Sequence, residues 1–308
     1  MQEGDTMGQT REAVDDITKQ DRYRGALIGF LVGDSLGSTT EFMTQAEVKE
    51  QYGVHQEIIG GGAFDWPKGS VTDDSDMTLC VARSLVACGG YNLRDIANRF
   101  VDWFNTDPAD IGCTVWDGLE LYTKTGELQR PYSYDQAGNG GLMRELPLIL
   151  HFADKRDAML QTVVEQARLT HNHPESDSGC RCYADLVAAA LQGEDNSALW
   201  RLAKQYPLFP PELYDNKAGG YIVESMRTVL HWFFSTISFE SALIGAVNMG
   251  QDADTNGALL GGLAGAHYGY QEIPQRWLEA LNPAIHAEAL QLADTLFSQT
   301  TFTQGRTP

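Results

Sequence analysis

The chain has 308 residues, with 42 acidic against 22 basic side chains and a formal net charge of −20. That balance excludes a nucleic-acid surface, which needs clustered Lys and Arg, and favours basic protein partners; no basic-then-apolar leader or run of about 18 apolar residues marks a signal peptide or membrane span. Five cysteines (Cys80, Cys88, Cys113, Cys180 and Cys182), odd in number and without a CxxC pair, read as reduced thiols of a cytoplasmic protein.

Residues 1–20 hold five acids, two bases and almost no large apolar side chain. Such a segment buries too little surface to offset its ordering entropy, so a flexible acidic arm is expected, either inert or binding a partner. Residues 21–300 read as one globular domain, and 301–308 as a flexible tail. Tyr23, Ala26, Leu27, Phe30 and Leu31 recur at helical spacing. Asp34-Ser35-Leu36-Gly37 follows, then Glu41, an acid after a turn-rich stretch and within reach of a metal site. Residues 54–68, with Gly60-Gly61-Gly62 and Trp66-Pro67, read as a loop whose length favours a functional role.

Next comes Thr72-Asp73-Asp74-Ser75-Asp76, just before the apolar positions Met77, Cys80, Val81 and Leu85 of a helix. One acid at a helix start is ordinary. Adjacent aspartates repel, and carboxylates with a threonine oxygen are hard ligands that suit Mg²⁺ or Mn²⁺. Asn92, with Asp95 three residues on, opens a helix whose apolar face ends near Asn105. A turn carrying Asp107 and Asp110 precedes the next helix; Asp110 qualifies as an acid or base only if it folds onto the metal cluster. Gly138-Asn139-Gly140-Gly141 reads as a turn feeding a helix, with bare N–H groups that suit a phosphate. Histidines His171 and His173 with Cys180 and Cys182 lack the usual zinc spacings, so His171 reads as a polar contact in a ligand pocket. Helices are expected from Tyr221 and from Phe239. A second acidic stretch, Gly250-Gln251-Asp252-Ala253-Asp254-Thr255, leads into a helix rich in small residues, Gly257, Gly261, Gly262 and Gly265. If the two clusters meet, five aspartates and two threonines converge, enough oxygens for two metal ions. Two amphipathic segments close the chain. About eleven helical segments and no alternating strand give an all-α fold, a single compact orthogonal multi-helix domain with a dinuclear metal site.

Several motifs then stand in one order: Gly33-Asp34-Ser35-Leu36-Gly37 with Glu41-Phe42, Tyr52-Gly53-Val54-His55 and the glycines to Gly62, Val71-Thr72-Asp73-Asp74, Gly138-Asn139-Gly140, Thr170-His171-Asn172-His173-Pro174, and Gln251-Asp252-Ala253-Asp254-Thr255. The series resembles the ADP-ribosylglycohydrolase family, its dinitrogen reductase-activating branch in particular, over nearly everything after the arm. The resemblance implies a hydrolase with two Mg²⁺ or Mn²⁺ ions that cleaves the N-glycosidic bond between ADP-ribose and an arginine side chain of a modified protein. It implies Thr72, Asp73, Asp74, Asp252, Asp254 and Thr255 as metal ligands, with Glu41 at or beside the ions. Asp110 matches a family acid near the ribose, while Gly138, Asn139, Gly140, His171 and Tyr221 would line the ADP-ribose pocket. The catalytic candidates are Asp73, Asp110 and Glu41, with the acid/base role open between Asp73 and Asp110. Cleavage passes through an oxocarbenium-like state that a nearby carboxylate stabilises. Cys113 departs from the polar residue, such as Asn, expected in that branch. Some family members protect cells against an ADP-ribosyltransferase toxin. An alternative reading is therefore an immunity protein that binds and blocks a transferase through residues 1–20; a metal-dependent phosphohydrolase is the third.

Overall fold

The computed structural model describes residues 6–304, with side chains described for residues 19–300. The expected arm at 1–20 and tail at 301–308 therefore fall almost wholly outside the described side chains. Fourteen α-helices follow in order: α1 (Thr6–Gly37), α2 (Gln45–Tyr52), α3 (Asp73–Cys88), α4 (Leu93–Phe104), α5 (Cys113–Thr125), α6 (Leu146–Phe152), α7 (Arg156–Ala167), α8 (Pro174–Leu191), α9 (Asn196–Ala203), α10 (Ile222–Ser235), α11 (Phe239–Val247), α12 (Ala253–Tyr268), α13 (Gln275–Ala280) and α14 (Pro283–Gln304). Among the described residues the only strand-like pairings are isolated bridges, Thr44 with Gly250, Gly61 with Trp66 and Gly138 with Tyr221. The all-α expectation holds. No helix among the described residues is long and apolar enough to cross a membrane.

Two helices form the axis of the core. Along α1, Gly25, Gly29, Gly33 and Gly37 recur every four residues, and along α12 so do Ala253, Gly257, Gly261 and Gly265. Residues four apart share one helix face, so each helix presents a bare stripe, and the two stripes meet backbone to backbone in antiparallel order. A Cβ on Gly33 would lie 1.9 Å from the Gly257 carbonyl oxygen, and one on Gly265 1.9 Å from that of Gly25. Interior glycine costs roughly 1 kcal/mol of helix propensity relative to Ala; close approach of the two helices explains its use here. Helices α8, α10 and α11 pack on α12, and α14 packs on α1. Tyr183 of α8 reaches over Gly262 and donates its hydroxyl to the Leu259 carbonyl at 2.8 Å.

Elsewhere the local signals act as their chemistry dictates. Asn92 caps α4 by accepting from the Asp95 N–H at 3.2 Å, and Asn105 ends it. Tyr221 and Ser238 stand immediately before α10 and α11. Two helices, α2 and α9, have no counterpart among the expected segments. Each is only eight residues long, and α2 buries Val48 alone, so neither has an apolar stripe long enough to read as periodic. The glycine turn at Gly138 does not feed a helix directly; residues 141–144 turn again before α6 begins at Leu146.

Candidate metal centre and substrate cavity

The site lies where α1 ends, and α1 positions both acidic clusters. The glycine stripe sets the start of α12 against Gly37, whose Cβ would lie 2.2 Å from the Ala253 carbonyl oxygen. One turn earlier, buried Asp34 accepts hydrogen bonds from the Thr72 N–H at 3.1 Å, from the Ser75 N–H at 3.1 Å and from the Ser75 hydroxyl. That carboxylate fastens the start of α3 to α1. Two helix N-termini, with their positive dipole ends, thus point at one spot, α3 carrying Asp73 and Asp74 and α12 carrying Asp254 and Thr255. Glu41 arrives on the turn after α1. That turn is tied to the second cluster by the Phe42 N–H to the Gln251 carbonyl (2.6 Å) and the Gln251 N–H to the Met43 carbonyl (2.7 Å).

The carboxylates form two trios. Within Asp73, Asp74 and Asp254 the ligand oxygens lie within 4.8 Å of one another, and the same holds for Glu41, Asp110 and Asp254. Asp254 belongs to both. Thr255 Oγ1 donates toward Asp74 at 3.2 Å and Asp252 at 3.3 Å, and the Thr72 hydroxyl lies 3.4 Å from Asp74. Asp252 also accepts from the Asn139 amide, which donates to the Ser225 hydroxyl at 2.9 Å.

The electrostatics call for a cation. Burial first, then mutual repulsion, pushes Asp73, Asp74 and Asp254 well above the usual carboxylate range. Glu41 is pushed up to about 11 by burial and then by Asp254 and Asp110. Asp252 rises to about 6, since burial outweighs its bonds from Asn139 and Thr255, and Asp110 rises through burial. Among the described residues, the buried oxygens Glu41 Oε2, Asp74 Oδ1 and Asp254 Oδ1 have no hydrogen-bond partner. Buried oxygens of this kind are rarely left unpaired, and converging carboxylates need positive charge. An all-oxygen donor set fits a hard divalent cation.

Beyond the carboxylates, a cavity of about 520 Å³ is lined by Phe42, Phe64, Cys113, Asn139, Gly140 and His171, among others. Gly140 is required by the approach of His171, whose Cε1 would lie 2.8 Å from a Cβ there. Among the described residues, the N–H of Gly140, which lines the cavity, has no carbonyl partner, as suits an anion. His171 is oriented from behind. Arg144, fully buried, donates to Thr170 Oγ1 at 2.8 Å, and that same oxygen lies 2.8 Å from His171 Nδ1. Arginine only donates, so the Thr170 hydroxyl accepts from it, and since the ring nitrogen is the one other partner of that hydroxyl among the described residues, its proton is assigned to the bond with Nδ1. The proton of the neutral imidazole then resides on Nε2, which faces Gly138 and Gly140. Burial, Arg144 and Arg130 hold the His171 pKa well below its usual value, which keeps the ring neutral. A second cavity, of about 450 Å³, shares Gly138 and Gly220 with the first and is lined by Tyr134, His173, Glu175 and Tyr221. Tyr221 is half exposed and donates to Glu175 at 2.8 Å.

The ADP-ribosylglycohydrolase family model matches residues 15–305. The chain belongs to that family. This ADP-ribosylglycohydrolase-family protein is 42% identical to ADP-ribosyl-[dinitrogen reductase] glycohydrolase of Rhodospirillum rubrum over 282 residues, covering 90% of this chain and 96% of the relative. It is 30% identical to ADP-ribosylarginine hydrolase Tri1 of Pseudomonas putida over 298 residues, covering 91% and 78%. A solved structure described as an ADP-ribosylglycohydrolase-related protein complex superposes with a TM-score of 0.81 at 33% identity, covering 92% of this chain and 99% of that one.

Against these facts, the sequence expectation for this family member needs one correction. The five aspartates expected to converge include Asp76, but it stands two residues beyond Asp74, where side chains do not share a helix face. It accepts from Trp103 Nε1 at 3.0 Å on another side of α3. Of the His and Cys residues set aside as zinc ligands, Cys180 and Cys182 are buried in α8, and His173 caps that helix, accepting from the Glu175 N–H at 3.2 Å. Sequence reasoning missed the roles of Asp34, Arg144 and Thr170. Asp34 stood in a quoted motif; Arg144 carried no signal, because nothing local marks a buried guanidinium.

Proposed function

We propose that this chain is a metal-dependent hydrolase that removes ADP-ribose from modified arginine side chains of proteins. The observation that carries the reading is the pair of carboxylate trios sharing Asp254. Two ions, Mg²⁺ or Mn²⁺, would be held by Thr72, Asp73, Asp74, Asp252, Asp254 and Thr255, with Glu41 beside them. When bound, such ions orient ribose hydroxyls and acidify water, supplying a nucleophile at neutral pH. Asp110 is the less enclosed of the two acid/base candidates lining the cavity; it takes the proton from the attacking water as the bond from the anomeric carbon to the guanidinium nitrogen breaks, the bonding pair leaving with that nitrogen so that the cationic group departs as neutral guanidine. The surrounding carboxylates stabilise the positive charge that develops on the ribose. The Nε2–H of His171 and the glycine turn at Gly138, Asn139 and Gly140 would hold the diphosphate, and Tyr221, with Tyr134, offers the base an aromatic wall. Arginine is favoured over other linkages by the Pseudomonas putida relative, which is named for ADP-ribosylarginine. A cytoplasmic setting suits the five cysteines, all unpaired. The reading requires no contact between residues 1–20 and a transferase.

The test is release of ADP-ribose from an arginine-modified protein and a serine-modified one. Release from the arginine substrate that is lost in chelator and falls by on the order of a hundredfold or more in Asp110→Asn is the expected result. Release from serine alone, or phosphate in place of ADP-ribose, would contradict it.

A further inference from the structure

A third cavity, of about 370 Å³, opens between α2 and the loop before α3, lined by Thr39, Met43, Glu47, Gln51, Tyr52 and Ala63. It shares Glu41 and Phe42 with the metal cavity, on a side that differs from the Gly138 and Gly220 connection. The three cavities therefore form a series with the carboxylates in the middle. No Lys or Arg lines the third one. Its partition is Phe42, 66% exposed and edge-on to Phe64 at 6.1 Å. Both Phe42 (φ 61°) and Gln251 (φ 59°) have left-handed backbones, held by the bonds from the Phe42 N–H to the Gln251 carbonyl and from the Gln251 N–H to the Met43 carbonyl. A bulky residue there is uncommon and persists where the surroundings over-determine it. The backbone holds an apolar ring in solvent beside Glu41, a placement that core packing does not explain.

Resting on the hydrolase reading, we propose that this third cavity seats the arginine-bearing segment of the modified protein. With the base and diphosphate directed toward Tyr221 and the ribose at the carboxylates, the opening past Glu41 gives the group on the anomeric carbon a way out on the opposite side. An arginine stem lying on Phe42 and a guanidinium near Glu41 match its apolar partition and acidic edge. Glu47, whose Oε2 is held by the Thr44 N–H at 2.7 Å and the Thr44 hydroxyl at 2.8 Å, fixes a second carboxylate at the rim for basic neighbours of the modified residue. A chain of net charge −20 draws such a segment in over long range.

Gln51, exposed on α2 with its amide on the Tyr52 hydroxyl at 2.9 Å, permits a test that leaves the fold and the reacting groups alone. Gln51→Lys and Gln51→Glu would be assayed on an ADP-ribosylarginine peptide with basic flanks and on free ADP-ribosylarginine, with ADP-ribose affinity measured beside them. Gln51→Lys should raise the peptide KM by roughly two- to fivefold and Gln51→Glu lower it, the size of an exposed charge pair. Values for the free compound and for ADP-ribose should stay at wild type. Peptide KM values unchanged in both variants, with wild type active, would overturn the groove alone. A wild-type protein inert on both arginine substrates yet binding ADP-ribose would overturn the hydrolase reading, and the groove with it.

Discussion

Thr170 makes one oxygen serve two residues. Its hydroxyl accepts from Arg144 and is assigned as donor to His171 Nδ1, so the tautomer of a ring facing the cavity is set by a buried guanidinium acting through the neighbouring threonine. Thr170→Val keeps the shape and removes the relay, whereas Thr170→Ser keeps the relay. The Val variant should bind ADP-ribose roughly tenfold more weakly, the worth of one charge-assisted hydrogen bond, and its imidazole ¹⁵N shifts should lose the Nε2–H signature; the Ser variant should retain both. Equal affinity and identical shifts in all three proteins would show that His171 needs no relay. The acids are a second matter at this scale. The folded pKa values of Asp252, about 6, Asp34, about 7, and Glu41, about 11, lie above the unfolded carboxylate range near ~4. A raised folded pKa gives stability that is full below the unfolded value and is lost as pH rises through the folded one. In chelator, the protein should therefore be more stable near pH 4.5 than near pH 8, and saturating Mn²⁺ should reverse that order. Urea midpoints at both pH values, with and without Mn²⁺, measure it. A metal-free protein more stable at pH 8 would refute the assignment.

At the scale of elements, the legible and the illegible part ways for physical reasons. Asp73, Asp74, Asp252 and Asp254 are readable because like charges at helix starts are costly without a ligand. Asp76 misled because a run of acids does not reveal which side of the helix each one takes. The small residues of α12 announce a close approach. What the sequence leaves silent is the partner: the matching stripe on α1, four residues apart, lies among large apolar residues that dominate its helical pattern. Glu41 and Asp110 depend on loops, whose course is set by contacts distant in sequence, such as the Phe42 and Gln251 pairing. Gly33→Ala would place a Cβ 1.9 Å from the Gly257 carbonyl and prise α1 from α12. A loss of about 1–3 kcal/mol is expected from such overpacking, read as a lowered urea midpoint, together with weaker Mn²⁺ binding because the start of α12 moves. A variant with an unaltered midpoint would mean that the two helices have slack between them.

For the whole molecule, the fold acts as a device for holding negative charge together. A core built on bare helix faces sets two helix N-termini against one carboxylate hinge, Asp34, and the cavities run outward from there in two directions. Fold class and the two acidic clusters were open to sequence reasoning, because periodicity and charge repulsion are local. The cavity series was not, since Gly138 and Tyr221, or Glu41 and Asp254, are brought together only by packing. Metal binding and stability should be one equilibrium, as ions that bind only the folded chain stabilise it by mass action. The most direct test of that arrangement is a titration of metal-free protein with Mn²⁺, counting bound ions while following ADP-ribose release from an arginine-modified protein. Two ions per chain, with release rising as they bind and both lost in Asp254→Asn, are expected from a carboxylate shared by two sites. Full release in chelator, or wild-type binding and release in Asp254→Asn, would contradict it.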